Sequence, residues 1–331
     1  MITLGIESTA HTFGVGIVDD SKKGKKQILS NVKDIYTTKK GGIIPSEAAE
    51  HHVVVCDGII SSALKKAGVG IKDVNLIAFS QGPGLGNTLR VGAVAARSLS
   101  IIHKIPLIRV NHCIAHLEVG NLVTESKDPV LLYVSGANTQ VIAYEGGKYR
   151  VFGETLDNGA GNFLDGIARE MGIGFPGGPK IEKLAEKGRK FVELPYIVKG
   201  MDVSFGGLFT NIKHKIHSKK FRKTDLAYSA QETIFAMLLE VAERALAHCG
   251  KDELLLGGGV CCNKRLKQMA RQMCRDRGAK CFIPENEFLT DNGAMIAWLG
   301  RVMYKSGCRT EIKNSSILPY ERTDDVKVKW R

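Results

Sequence analysis

The chain has 331 residues, 44% of them hydrophobic, which exceeds the size at which one hydrophobic core stops growing and predicts two domains. An aromatic share of 7% with 37 glycines suits an α/β protein rich in tight turns and argues against disorder. A formal net charge of +13 predicts a polyanionic partner, and eight scattered cysteines with no CxxC pair predict a reduced, cytoplasmic protein; no signal segment is read at the amino terminus, and no apolar run approaches the about 20 residues of a membrane span.

In chain order, residues 2–7 and 12–18 read as a β-hairpin joined by Ser8, Thr9, Ala10 and His11, followed by a strand at 28–36. Ser46 reads as the N-cap of a helix with apolar positions 53, 56, 60, 63, 64 and 67. A buried strand at 74–80 runs into the glycine loop 81–86, then a helix at 88–103 and a strand at 105–110. The pattern then restarts. Strands are expected at 130–135, 139–145 and 149–155, helices at 161–171, 177–187 and 224–249, a strand at 253–256, a helix at 263–275, a strand at 280–283 and a last helix at 291–304 before a charged tail. Two hairpin-led halves, divided here as 1–127 and 128–331, predict duplicated ribonuclease-H-like lobes of the actin, heat-shock-chaperone and sugar-kinase type, with a nucleotide and a metal in the cleft.

His112 and His116 fall on one helix face, with Cβ atoms about 5–6 Å apart, close enough to share a divalent ion or simply to sit half-buried. The turn Ser135-Gly136-Ala137-Asn138 offers backbone N–H groups to an anionic oxygen, or is an ordinary hairpin turn. Asp165 and Glu182, beside the loop that contains Gly178, are placed to accept from ribose hydroxyls, or are surface acids. Gly257, Gly258 and Gly259 form a flat seat for an adenine, with Asn263 within reach or merely near the helix start. Asp291 caps a helix or completes a metal shell; two histidines and one carboxylate suit Fe(II) or Zn(II), with Tyr133 as a further oxygen donor. Lysine clusters at 22–26 and 213–223 are either solvated faces or contacts to nucleic acid.

The His112-x3-His116 pair, the segment from Tyr133 to Thr139, Glu154-Thr155-Leu156-Asp157, Pro176-Gly177-Gly178-Pro179 with Glu182, Gly257-Gly258-Gly259 with Asn263, and Asp291-Asn292-Gly293 occur in one order over nearly the whole chain. In this order they resemble the universal tRNA threonylcarbamoyladenosine-synthesis family, in its archaeal and eukaryotic branch, the catalytic subunit of the KEOPS complex. The resemblance implies transfer of threonylcarbamoyl from threonylcarbamoyl-adenylate to N6 of adenosine 37 in tRNAs reading codons that begin with A. It also implies one divalent metal, Fe2+ ahead of Zn2+, on His112, His116, Asp291 and Tyr133. The acyl-adenylate, or ATP, ADP or AMP, would contact Tyr133, Val134, Ser135, Gly136 and Ala137, with Asp165, Gly178, Glu182 and Asn263 holding the rest of the nucleotide. The implied partners are tRNA, a protein kinase or ATPase subunit that is separate or fused after the carboxyl end, dimerisation and accessory subunits, and an upstream acyl-adenylate synthase. The sequence departs from the family at Gly206, where relatives usually carry serine, and Asn158-Gly159-Ala160-Gly161 differs from the commonest bacterial pattern. No general base is identified; Glu7 and His11 are the candidates.

Two other readings compete. A zincin-type metalloprotease, which an older family label suggests, needs His-Glu-x-x-His, and position 113 is cysteine. A nucleotide-dependent nucleic-acid-binding or ATPase-like module would bind without acyl transfer.

Overall fold

A computed structural model describes residues 1–38 and 42–331. Strands β1 (Ile2–Glu7), β2 (Thr12–Asp19) and β3 (Ile28–Ile35) form an antiparallel meander in which Gly5 pairs with Gly16 and Gly14 with Lys33. Helix α1 (Pro45–Ala67) starts on a proline, whose missing N–H costs nothing in a first turn, so Ser46 lies inside the helix and Ile44 takes the cap position. Strands β4 (Leu76–Gly82) and β5 (Leu107–Asn111), joined through α2 (Gly86–His103), add in parallel to give the order β3-β2-β1-β4-β5. Helix α3 (His112–Thr124) follows β5 at once, because Asn111 turns the chain and accepts from the Ile114 N–H at 3.1 Å.

The second half repeats this plan. Strands β6 (Val130–Val134), β7 (Thr139–Glu145) and β8 (Lys148–Glu154) form the meander, followed by α4 (Ala160–Glu170) and α5 (Gly178–Ala185). A two-stranded ribbon, β9 (Val198–Lys199) with β10 (Asp202–Val203), and α6 (Gly206–His217) come next, both additional to the elements expected from sequence. Helix α7 (Lys223–Cys249), β11 (Glu253–Gly257), α8 (Lys264–Arg277) and β12 (Lys280–Phe282) complete a sheet of order β12-β11-β6-β7-β8, the same path as the first. The short α9 (Asn286–Leu289) leads to α10 (Gly293–Lys305), which starts two residues later than expected because Asn292, not Asp291, is its cap.

Each sheet carries helices on its outer face, α1 and α2 on the first and α4, α5, α7 and α8 on the second. Between the inner faces lie α3 and α10. Ile114, Leu117, Met295, Ile296 and Leu299 from these helices meet Leu76 and Ile108 of one sheet and Leu131, Ile142 and Leu255 of the other. Helix α3 is buried from His112 to Gly120, so it has no polar face to distinguish inside from outside.

Helix α10 returns to the first sheet at backbone contact. A Cβ placed on Gly16 would stand 2.2 Å from the Ala294 nitrogen, and one on Gly5 would stand 2.1 Å from the Ala297 nitrogen. Glycine is therefore required on the strands for the helix to lie directly on them. At the far end of α10, Arg301 and Lys305 reach the Asp20 carboxylate at 3.3 and 2.5 Å. The remaining chain follows the same side: Thr310 bridges Leu107, and the Leu318 N–H donates to Gln81 at 2.9 Å. Arg331 then reaches α3 at Glu118, 3.2 Å away, with its guanidinium over Tyr149, whose hydroxyl donates to the same carboxylate. Gly16→Ala is expected to cost at least the about 1–3 kcal/mol of an overfilled core, read from the midpoint of urea unfolding; an unchanged midpoint would mean that α10 lifts off the sheet freely.

Candidate metal centre and nucleotide cleft

Four side chains from three separated stretches converge between the lobes. His112 opens α3 and His116 lies one turn on; Tyr133 comes from the end of β6 and Asp291 from the residues just before α10. The metal-binding atoms of His112, His116 and Asp291 all lie within 4.8 Å of one another. Asp291 Oδ1 is 3.5 Å from His112 Nε2 and 3.3 Å from His116 Nε2, and the Tyr133 hydroxyl is 2.9 Å from His112 Nε2. Gly257 stands opposite Tyr133 on β11, where a Cβ would come within 2.9 Å of the Leu131 side chain.

Glu7, on the first hairpin and fully buried, holds the other nitrogen of His112: Oε2 lies 2.9 Å from Nδ1. Its Oε1 accepts from the Thr9 N–H at 2.6 Å and the Thr9 hydroxyl at 2.5 Å. With Nδ1 so engaged, Nε2 is the nitrogen turned into the cluster. His116 Nδ1, by contrast, is buried and finds no partner among the described residues.

Burial lowers the pKa of His116. In His112 burial acts in the same direction but is outweighed by Tyr133, Glu7 and Asp291, which hold its pKa well above the ordinary histidine value. For Asp291 burial acts upward, yet the hydrogen bonds and charges of the two histidines hold its carboxyl well below the usual range. Burial raises the Tyr133 phenol. Two imidazoles, an ionised carboxylate and a phenol brought together out of water form a donor set that fits a first-row divalent ion. At the position where a zincin carries its glutamate, Cys113 is buried and its thiol is pushed up to about 11 by burial, so that base is missing.

One residue beyond Tyr133 and Val134, the turn at Ser135 is closed by the Ser135 N–H on Asn138 O at 2.8 Å. It rests on the start of α4, where Gly161 and Asn162 N–H groups donate to Ser135 O and Gly136 O at 3.0 and 2.9 Å. Gly159 and Gly161 permit this contact: a Cβ on either would fall within 2.4 or 2.7 Å of turn backbone. The carbonyls of Ser135 and Gly136 are thus spent on α4, while the N–H groups of Gly136 and Ala137 donate to nothing among the described residues.

Farther into the second lobe, Asp165 Oδ1 accepts from the N–H groups of Gly177 and Gly178 at 2.6 and 3.3 Å, and burial raises its pKa. Glu182 Oε1 accepts from the Lys264 N–H at 2.8 Å. Asn263 caps α8, accepting from Arg265 and Leu266 at 2.8 and 3.2 Å, and its amide donates to Gln231 at 2.8 Å. These acids and this amide therefore sit along one wall, with part or all of their hydrogen-bonding capacity already used by the protein. His11 is not among the cluster's hydrogen-bond partners; its ring meets Phe175 edge-on at 6.4 Å, which brings the first hairpin against the Gly178 loop.

Lys33 escaped the sequence reading, and Asp157 enters it only as part of a motif, without a role. Lys33 Nζ donates to Thr290 Oγ1 at 2.5 Å and to Asp291 O at 3.0 Å. Asp157 receives the N–H groups of Phe205 and Gly206 at 2.9 and 2.7 Å and the Ser204 hydroxyl at 2.7 Å, so it caps α6. Position 206 thereby keeps a tie to Asp157 through its backbone although it lacks the serine hydroxyl. Of the basic cluster, Lys213 and His217 pair with Glu170 and Lys223 binds Met171 O, which leaves Lys219, Lys220 and Arg222 exposed.

Residues 27–298 match the family described as tRNA N6-adenosine threonylcarbamoyltransferase. A protein of that name from Thermococcus kodakarensis is 57% identical over 330 residues that cover all of both chains. A Methanosarcina mazei protein named as a probable bifunctional tRNA threonylcarbamoyladenosine biosynthesis protein is 52% identical over 99% of this chain and 59% of its own length. Among solved structures, T. kodakarensis HypF aligns with a TM-score of 0.65 at 17% identity, over 96% of this chain and 49% of that one, a likeness of fold alone. With relatives identical at more than half of their positions from end to end, the chain belongs to the tRNA N6-adenosine threonylcarbamoyltransferase family.

Proposed function

We propose that the protein transfers the threonylcarbamoyl group of threonylcarbamoyl-adenylate to N6 of adenosine 37 in tRNAs reading codons that begin with A, at a centre where His112, His116, Asp291 and Tyr133 hold one divalent ion. The observation that carries this site reading is the convergence of the donor atoms of His112, His116 and Asp291 within 4.8 Å, with the Tyr133 hydroxyl 2.9 Å from His112 and Tyr133 itself separated by one residue from a turn with two unspent N–H groups. An adenine amine is a weak nucleophile, so the acyl carbon has to be made more electrophilic and the departing phosphate held. When bound, the ion would polarise an oxygen of the acyl group as a Lewis acid, with Fe2+ preferred to Zn2+ because a phenol joins the donors.

The residues of the chain supply the rest. Gly136 and Ala137 present their N–H groups to the adenylate phosphate, whose negative charge they hold as it leaves. Glu7 orients His112 rather than taking up a substrate proton, since both of its oxygens are already engaged. Asp165, Gly178, Glu182 and Asn263 line the wall for the ribose and base, and the exposed Lys219, Lys220 and Arg222 attract the tRNA backbone. The bifunctional relative, in which further sequence accompanies a region like this chain, supports a kinase-type partner subunit, with dimerisation and accessory subunits completing a cytoplasmic assembly.

Labelled threonine is expected to enter unmodified tRNA when the intact chain is supplied with an acyl-adenylate synthase and partner subunits. The His112→Ala/His116→Ala variant is expected to give no product and to lose Zn2+ binding while still retaining tRNA on a filter; full transfer by that variant would sink the site assignment. In Glu7→Gln, the new amide must face either the Thr9 donors or His112 Nδ1, which disturbs the imidazole. The expected loss is about 10–100-fold in Zn2+ affinity together with turnover. A fall in turnover at unchanged Zn2+ affinity would instead make Glu7 a base.

A further inference from the structure

Lys33 lies on β3 across from Gly14, and that glycine opens the sheet surface to the chain ahead of α10. A Cβ on Gly14 would stand 3.1 Å from the Gly293 nitrogen. The half-buried ammonium of Lys33 crosses this gap and spends two hydrogen bonds on consecutive residues, the Thr290 hydroxyl at 2.5 Å and the Asp291 carbonyl at 3.0 Å. No carboxylate stands within ion-pair distance of it among the described residues. Withdrawing an ammonium from water is costly unless hydrogen bonds replace the lost solvation, and here those bonds go to the segment that carries a candidate metal ligand.

The segment's other polar ties are internal. Asn292 Nδ2 donates to Thr290 O at 2.8 Å, and Asn292 Oδ1 accepts from the Met295 N–H at 3.0 Å. These bonds shape the turn but do not locate it. Packing of α10 on β1 and β2 locates the helix from Gly293 onward, and the buried Phe288 and Leu289 anchor the chain ahead of Thr290, whose N–H and hydroxyl donate to Asn286 O at 3.3 and 3.2 Å. Between these anchors Lys33 is, among the described residues, the side chain that ties Thr290 and the Asp291 backbone to the first sheet.

We infer that Lys33 is a positioning residue for the metal centre: from the first lobe, through Thr290 and the Asp291 carbonyl, it sets where the Asp291 carboxylate stands against His112 and His116. The inference rests on the metal reading given under Proposed function. Charge and position make opposite demands at this site. An ammonium close to a cation opposes cation binding, so a residue acting only through its charge would, when neutralised, let the metal bind more tightly. A tether, when cut, lets the metal bind less tightly.

The test is Zn2+ affinity, measured by competition with a chromophoric chelator on the full chain, for the wild type and for Lys33→Met, Lys33→Arg, Thr290→Val and the Lys33→Met/Thr290→Val double variant. Lys33→Met is expected to bind Zn2+ about ten-fold or more weakly. Lys33→Arg should recover part of that loss, and the double variant should lose less than the two single losses combined, because both cut the same bond. Thr290→Val alone should give a smaller loss of the same sign, which keeps the test valid if Lys33→Met does not fold. Unchanged or tighter Zn2+ binding by Lys33→Met overturns the inference. So does normal Zn2+ affinity with a raised KM for threonylcarbamoyl-adenylate, which would make Lys33 a substrate contact. If the wild type binds no Zn2+, or binds it as well after His112→Ala, the metal reading itself has failed and takes this inference with it.

Discussion

The backbone contact between α10 and the β1–β2 hairpin is the constraint on which the site depends. Helices normally stand off a sheet by the depth of a side-chain layer; here Gly5, Gly16 and Gly293 remove that layer, and the helix axis is brought in accordingly. A contact of this kind has almost no tolerance, since a single methyl group would overlap backbone atoms that cannot rotate away. The gain is positional. The residue two places before the helix comes from the end of the second lobe's chain, yet the helix that it leads into lies directly on the first lobe's sheet. Asp291 can then face histidines that are far from it in sequence.

Around that contact the site is arranged as a charge balance in a dry place. His112 and Asp291 each favour the charged form of the other, which moves the imidazole pKa up and the carboxyl pKa down. The first lobe contributes the controls, Glu7 behind His112 and Lys33 behind Asp291, while the second lobe contributes Tyr133 and the open turn. Neither lobe holds a complete centre.

Much of this was legible in the sequence because the signals are local. The hairpin strands are short apolar, β-branched runs, the histidine spacing matches one helical turn, and motif order carried the family resemblance. Asn263 and Asp291 were harder, since a residue that caps a helix and one that binds a ligand look alike in one dimension; in the structure the caps are Asn263 and Asn292, one residue past Asp291. Helix α6 and the β9–β10 ribbon were missed because a Gly-Gly start and a lysine-rich end mask the apolar positions of α6, and two-residue strands leave no alternation to read. Lys33 carried no local signal at all, with partners 257 and 258 positions away. The strand glycines were the overlooked clue, since glycine inside a strand pattern points to close backbone approach.

Helix α3 is seated at its start and its middle by buried polar groups, and the two seats belong to different parts of the chain. At its start His112 is held by Glu7 of the first sheet; two turns on, Glu118 is held by Tyr149 of the second sheet and by Arg331. The helix thus behaves as a tie rod between the lobes. A swing that parted the two sheets would pull one seat loose, at the cost of an unpaired carboxylate in the interior. Parting of the two sheets is therefore resisted at α3, and the two histidines of the metal cluster belong to the helix that resists it.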